Sequence, residues 1–408
     1  MKCGLLGAKL GHSYSPQIHS HLGDYSYVLL EKTEEELGIF LKNTDFSGLN
    51  VTIPYKSTVI PYCAKLSDTA RRLGAVNTIV RQPDGSLLGH NTDYFGFERM
   101  LLCSKLDIAD KKVLVLGTGG TSKTAVAVLT DYGAQVVVIS RSGENNYSNL
   151  YLHKDATVIV NTTPVGMYPK TGVSPVDLDD FPRLEGVLDV IYNPAKTALL
   201  LEAEKRNLVA VNGLLMLVAQ AKESAQWFTG NKIADEKIDH IHSLLRQQME
   251  NIILIGMPGS GKSTIGQMIA EKLGKEFMDA DAVIAEKAGC SIPEIFAKDG
   301  EAGFRALETQ VLNELGKMSG KVIATGGGCV TREENYPLLH QNGIVFCLER
   351  HISGLPTDGR PLSQNNKLEE MYRIRKPLYE QFASYHIENN GAPEEAAEKI
   401  LSIWEENK

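Results

Sequence analysis

Two stretches of the chain have the residue types and spacing that binding a phosphate requires. Gly256-Met257-Pro258-Gly259-Ser260-Gly261-Lys262-Ser263 is a G-x-x-x-x-G-K-S pattern. Glycines there let backbone N–H groups cradle phosphate oxygens, the lysine reaches the β and γ positions, and the hydroxyl after it can ligate Mg²⁺. The second stretch is Gly117-Thr118-Gly119-Gly120-Thr121-Ser122-Lys123, a dinucleotide-type turn whose third glycine is replaced by Ser122. Its glycines allow close approach to a pyrophosphate, and the helix that follows offers unpaired N–H groups. Further on, Ser140-Arg141-Ser142 holds an arginine where an NAD site would usually carry an acid, which suits the 2′-phosphate of NADP.

Four polar clusters precede the first glycine turn: Ser13-Tyr14-Ser15-Pro16, Asn50–Lys56, Gly74–Thr78 and Gly89–Asp93. Singly, each has an ordinary structural explanation: serines capping turns, Lys56 as a solvated charge, Asp93 capping a helix that starts near Tyr94. Together they supply hydroxyls, amides, one acid and one ammonium. That set can hold a small polyhydroxylated carboxylate beside a nicotinamide, with lysine moving a proton at the reacting oxygen. Beyond Gly256–Ser263 come Asp279-Ala280-Asp281, Arg305 and Glu308 on a helix, Gly326-Gly327-Gly328, Arg360-Pro361-Leu362 and Arg375. A helix cap, surface charges and a tight turn would explain these equally well one by one.

The elements that must position these groups are α/β in character. Short apolar runs at Lys112–Leu116, Gln135–Ile139, Thr157–Val160, Val187–Ile191 and Leu208–Val211 read as strands, with a helix over Ser122–Tyr132. A second set runs through Asn251–Ile255, Lys321–Ala324 and Ile344–Leu348. Each set opens with a strand leading straight into a glycine turn, so two nucleotide-binding units are expected. Asp235–Met249 has helical spacing, and no Gly/Ser/Pro spacer separates it from the next strand.

Composition narrows the classes. The 408 residues suggest two or three domains at roughly 150 each. Hydrophobic residues at 43% and charged residues at 23% fit a folded chain. The net charge is −8, and residues 250–408 carry 17 basic against 24 acidic groups. No nucleic-acid or membrane partner is therefore expected, and anionic ligands must be held by local groups. Six cysteines without C-x-x-C spacing and no apolar run near ~18 residues predict a reduced, cytoplasmic protein.

On these motifs the first ~246 residues resemble shikimate dehydrogenase. The resemblance runs through His12-Ser13-Tyr14-Ser15-Pro16, Asn50–Lys56, Asn77, Asp93, Asn161–Met167, Asp189–Pro194, Asn212-Gly213 and Gln220. It implies Lys56 and Asp93 as catalytic and Ser13, Ser15, Thr52, Asn77, Asp93 and Gln220 as substrate-binding. For NADP it implies Gly117, Gly119, Gly120, Thr121, Ser140, Arg141, Thr162, Met167, Tyr192 and Gly213. Residues 250–405 resemble shikimate kinase. That resemblance implies ATP on Gly259, Ser260, Gly261, Lys262, Ser263 and Thr264, and Mg²⁺ on Ser263 and, through water, Asp279. It places the acceptor on Asp281, Arg305, Gly326, Gly327, Gly328 and Arg375, with Lys262 and Arg360 catalytic. Many members of that family also carry a helix with an adenine-stacking arginine between the strand ending at Leu348 and the lid; here only about ten residues precede Arg360.

The combined expectation is a dehydroshikimate-binding domain over 1–105, completed by helices within 212–248, a Rossmann-like NADP domain over 106–211, and a P-loop kinase domain with a parallel five-stranded sheet over 249–408. The implied activity is bifunctional: 3-dehydroshikimate and shikimate interconverted with NADP(H), then shikimate phosphorylated by Mg²⁺–ATP. A quinate-type dehydrogenase fused to a kinase uses the same residues, but Arg141 opposes its NAD preference. A sensor derived from one half would have no use for Lys56, Asp93, Lys262 and Asp281 together.

Overall fold

The apolar runs form three sheets. In the computed structural model, which describes residues 1–11, 13–43, 45–355 and 365–406, the first is six-stranded. Its order is Ser26–Glu31, Lys2–Gly7, Gly48–Val51, Thr78–Arg81, Leu87–His90, Lys65–Leu66. It is mixed: Thr78–Arg81 runs antiparallel to both neighbours. The second sheet is Val209–Val211, Gly186–Asp189, Val158–Asn161, Lys112–Leu116, Gln135–Ile139, all parallel. The third is Glu276–Asp279, Lys321–Ala324, Asn251–Gly256, Gly343–Glu349, Tyr385–Glu388, also all parallel.

Strand order decides where ligands can bind. In the second and third sheets the earliest strand is internal, with later strands added on both sides of it. The chain therefore leaves Leu116 and Gly256 at a switch point, where the flanking connections diverge and open a crevice at the carboxyl ends of the strands. Both central strands are buried along nearly their whole length, which their Val, Ile and Leu content supports because helices cover both faces of a parallel sheet.

The helices follow from the same requirement to bury an apolar face. Gly120–Asp131 buries Ala125, Val128 and Leu129 against its sheet. Leu214–Thr229 buries most of one broad face, Val218, Ala219, Ala221 and Ala225 among it. In Glu236–Met249 the inward residues are Ile238, Ile241, Leu245 and Met249, at helical spacing.

Contacts group the chain into two compact units: 1–166, 173–192 and 202–244 in one, and 167–172, 193–201 and 245–408 in the other. The second grouping takes in the short segment 193–201 because Ala195 N–H donates to Asn342 Oδ1 at 2.8 Å and Lys196 N–H to the Gln341 carbonyl at 2.8 Å. Element boundaries differ from the sequence reading by one or two residues. The helix expected from Ser122 starts at Gly120, because Gly119 is already extended and serves as its cap. The strand expected to end at Val160 continues through Asn161, which stays in register with Leu116 and Asp189. The strand expected over Val187–Ile191 is Gly186–Asp189, its ends set by pairing with Val158–Asn161. Among the described residues, no helix is long and apolar enough to cross a membrane.

Candidate active sites

The first unit holds a cavity of about 260 Å³ walled by Ser13, Ser15, Thr52, Lys56, Asn77, Asp93, Thr121, Tyr192, Gly213 and Gln220. Side chains from Ser13 to Gln220, far apart in the chain, thus meet at one point. Lys56 Nζ lies 2.6 Å from Asp93 Oδ2. Asp93 opens the helix Asp93–Ser104 but does not cap it; Thr92 holds the cap position, leaving the carboxylate to the lysine. The other Asp93 oxygen accepts from Asn77 Nδ2 at 2.9 Å. The pair is buried enough to interact strongly and still faces the cavity. Ser13 and Ser15 do form a local turn, Ser15 N–H donating to Ser13 Oγ at 3.2 Å, while lining the same cavity.

Behind this wall lies a buried polar network that the sequence did not announce. Asn50 Nδ2 donates to Ser224 Oγ at 2.8 Å, and Tyr27 OH donates to Asn50 Oδ1 at 2.8 Å. Ser224 Oγ also lies 2.8 Å from Thr78 Oγ1 and 2.9 Å from Thr92 Oγ1, and it donates to the Gln220 carbonyl at 2.9 Å. It therefore ties the helix that carries Gln220 to the strand that follows Asn77 and to Thr92, next to Asp93. A serine on an otherwise apolar helix face was the only sequence signal.

The glycine turn of the first unit fits a dinucleotide. Gly117 sits at φ +108°, where an L side chain is strained, and a Cβ there would come 3.0 Å from Thr162 Oγ1. Thr162 Oγ1 donates to the Leu116 carbonyl at 2.6 Å. Ser122, in place of the third glycine, is buried and donates to the Gly117 carbonyl at 2.7 Å, closing the turn. Around Gly119 there is open space, and a Cβ on Gly120 would lie 4.0 Å from Lys56 Cδ. The turn thus faces the Lys56 site. Ser140 Oγ accepts from Gly143 N–H at 2.7 Å, and Arg141 is exposed beside it with no ion pair among the described residues. Lys123, which the sequence reading left without a role, lines a separate groove of about 580 Å³ with Thr118 and Val138. Met167 stands apart: it is 46% exposed, falls in the segment grouped with the second unit, and does not line the cavity.

The second unit contains a cavity of about 870 Å³ walled by Gly259, Gly261, Lys262, Ser263, Thr264, Asp279, Asp281, Arg305, Gly326, Gly327, Gly328 and Arg375. Gly256, Gly259 and Gly261 have φ of +138°, +83° and +96°, the left-handed turns that aim N–H groups into a loop's hollow. Lys262 Nζ donates to the Gly256 and Met257 carbonyls at 2.9 and 3.0 Å, poised under that hollow. Ser263 Oγ donates to Asp279 Oδ2 at 2.7 Å, so two hard oxygen ligands of the kind Mg²⁺ prefers stand side by side. Ser260 is off the wall; it is fully buried, and its carbonyl accepts from Asn389 Nδ2 at 2.7 Å.

The acceptor side is a set of interlocked charges. Arg305 and Arg375 are 7% and 6% exposed, which rules out solvated surface charges. Arg305 pairs with Glu308 at 2.8 Å and Glu301 at 3.3 Å, and Arg375 donates to the Gly327 carbonyl at 3.1 Å. Glu308 is wholly buried; burial pushes its carboxyl above the usual range, partly opposed by Arg305. The three glycines leave no room for side chains. A Cβ on Gly326 would come 2.5 Å from Glu308 Oε1 and 2.9 Å from Asp281 Oδ1, one on Gly327 2.6 Å from Pro258, and one on Gly328 2.0 Å from Arg305. Glu308 is a site residue the sequence reading left without a role, although its i, i+3 spacing from Arg305 marks it. His12 and Arg360 lie outside the described residues.

A dinucleotide turn over a Lys–Asp pair and a phosphate loop over an Arg-rich acceptor pocket define a two-site α/β enzyme that joins an oxidoreductase to a small-molecule kinase. The shikimate dehydrogenase substrate-binding-domain model matches residues 5–79, and the shikimate kinase model matches residues 258–405. The NADP(+) shikimate dehydrogenase of Clostridium beijerinckii is 34% identical over 268 residues, 60% of this chain and 98% of that protein. A chorismate mutase/shikimate 5-dehydrogenase fusion protein from Clostridium acetobutylicum is 37% identical with a TM-score of 0.57, covering 60% of this chain and 97% of that one. Shikimate 5-dehydrogenase of Thermus thermophilus, crystallised with NADP(H) and shikimate, is 29% identical with a TM-score of 0.54, covering 59% and 98%. The chain belongs to the shikimate dehydrogenase family and carries a shikimate kinase domain behind it.

Proposed function

We propose that the chain catalyses two consecutive steps of the shikimate pathway to chorismate: NADP-dependent interconversion of 3-dehydroshikimate and shikimate, and phosphorylation of shikimate by Mg²⁺–ATP to shikimate 3-phosphate. The observation that carries this reading is that each cavity brings together a lysine and an acid suited to its reaction, Lys56 with Asp93 in one and Lys262 with Asp281 in the other. The scattered free cysteines support a cytoplasmic enzyme.

In the first site the nicotinamide, when bound, supplies the hydride acceptor or donor. The open glycine turn, the Thr162 hydroxyl and Arg141 would hold the dinucleotide, and Ser13 and Ser15 the substrate carboxylate. Asn77, Asp93 and Gln220 would fix the ring hydroxyls. Lys56, held by Asp93, moves the proton at the reacting oxygen. In the second site Arg305 and Arg375 would clamp the carboxylate of the acceptor, and Asp281 would accept the proton of the attacking hydroxyl. Lys262 would neutralise charge on the transferring group, and Ser263 and Asp279 would hold the Mg²⁺ that offsets the phosphate charge.

One coupled assay tests the reading. NADPH should be consumed with 3-dehydroshikimate, and ATP added afterwards should yield shikimate 3-phosphate, identified by mass. Failure of either half-reaction with pure protein overturns the assignment of that half.

A further inference from the structure

The strand Gly343–Glu349 runs beside the phosphate-loop strand, with Leu348 in register with Gly256. Their backbones nearly touch, since a Cβ on Gly256 would lie 2.6 Å from the Leu348 carbonyl. Arg350, two residues further on, therefore emerges next to the loop, and it lines the same cavity as Gly259 and Lys262. Residues on either side of it are pinned. Asn389 N–H donates to the Glu349 carbonyl at 2.7 Å, and His351 N–H to Asn390 Oδ1 at 2.8 Å. Asn389 in turn holds the phosphate loop through the Ser260 carbonyl.

Among the described residues the guanidinium has no recorded partner. Arg350 is exposed and has no ion pair among the described residues. The acid next to it, Glu349, is engaged by His386 at 2.8 Å. A fixed backbone carrying into a cavity an arginine with no ion pair among the described residues is a poor structural device and a good anion ligand. The acceptor carboxylate already has two arginines, Arg305 and Arg375, both more than nine-tenths buried. The nucleotide is the other anion in the cavity, and it needs local cations because residues 250–408 carry 17 basic against 24 acidic groups.

We infer that Arg350 binds the polyphosphate of the nucleoside triphosphate and supplies, from the strand end, a cationic contact to the nucleotide in a chain whose segment before Arg360 is short. The inference rests on the kinase reading of this site, and it assigns Arg350 to ATP and not to the acceptor.

The test titrates the full-length chain and its Arg350→Ala and Arg350→Lys variants with ATP, ADP and AMP and measures the shikimate KM in the kinase reaction, with far-ultraviolet circular dichroism as the check of folding. Loss of one charge-assisted contact should weaken ATP and ADP about tenfold in Arg350→Ala. AMP and shikimate should be unchanged, and the lysine variant should recover part of the loss. Three results would overturn the inference: ATP binding within about twofold of the parent, an equal loss for AMP, which means stacking on the base, or a loss that falls on shikimate. The kinase reading is judged separately, by whether the parent chain phosphorylates shikimate; nucleotide titration of the variants decides Arg350 either way.

Discussion

Lys56 Nζ and Asp93 Oδ2 are 2.6 Å apart, with their side chains 19% and 10% exposed. An ion pair so placed is reachable by a ligand but shielded from bulk water, so the carboxylate can orient the ammonium toward a reacting oxygen. Lys56→Ala should fold and lose roughly 10²–10⁴-fold in dehydrogenase turnover, the usual scale for a general acid–base. Shikimate phosphorylation should be unaffected. A loss below tenfold in stopped-flow NADPH oxidation would remove Lys56 from proton transfer.

Arg141, proposed to hold the 2′-phosphate of NADP, is exposed just beyond its strand with no ion pair among the described residues. A charge-assisted hydrogen bond to the 2′-phosphate contributes about 1.5–3 kcal/mol. Arg141→Ala should weaken NADP by roughly one to two decades and leave NAD nearly untouched. Competition between the two cofactors measures this directly. Equal losses for both would make the arginine a structural residue.

Asp281 and Lys262 share a cavity, and if they serve different ligands, as proposed, substitutions should separate them. Asp281→Asn should raise the shikimate requirement and cut turnover while ATP still binds to an intact loop. Lys262→Ala should weaken ATP instead, because its ammonium is the group that reaches the β and γ phosphates. Kinase kinetics with ATP and shikimate varied separately distinguish them; a raised ATP KM in Asp281→Asn, with the shikimate KM unaffected, would refute the two-ligand assignment.

Much of this was legible in the sequence because glycine turns, strands and their flanking charges are local. Gly117–Lys123 and Gly256–Ser263 announce both crevices, and the strands around them were read to within about two residues. The Rossmann-like and P-loop α/β architecture followed from the same patterns. What escaped is what folding brings together. Ser224 meets Asn50 across 174 positions, and nothing in the segment around Ser224 announces that partner. Ser122 looked like a defect in a glycine pattern, whereas its hydroxyl closes the turn by a bond to Gly117. The helix Ile292–Leu315 also conceals a break at Gly300, φ 68° and ψ −175°, a conformation for which glycine is suited and which no periodicity reveals.

Acid should destabilise the first unit through a buried histidine. His19 is stacked on Tyr27 with ring centroids 3.9 Å apart, and its Nδ1 lies 2.7 Å from Tyr25 OH. Burial lowers its pKa from 6.5 to about 3, offset in part by Asn50. The folded chain therefore keeps this ring neutral where the unfolded chain protonates it. Between about pH 6.5 and 3 the unfolded state binds the extra proton, so stability falls as pH falls through that window. From about pH 7 to pH 5 the contribution is at most about 2 kcal/mol. Burial also lowers His90, from 6.5 to about 4, so part of the acid sensitivity should survive without His19. His19→Gln should be less stable than the parent at about pH 7, since the Tyr25 and Tyr27 contacts change, yet lose about 2 kcal/mol less on going to about pH 5. Urea unfolding followed by fluorescence at the two pH values provides the comparison, and parallel pH dependences in parent and variant would exclude His19 as an acid-sensitive group.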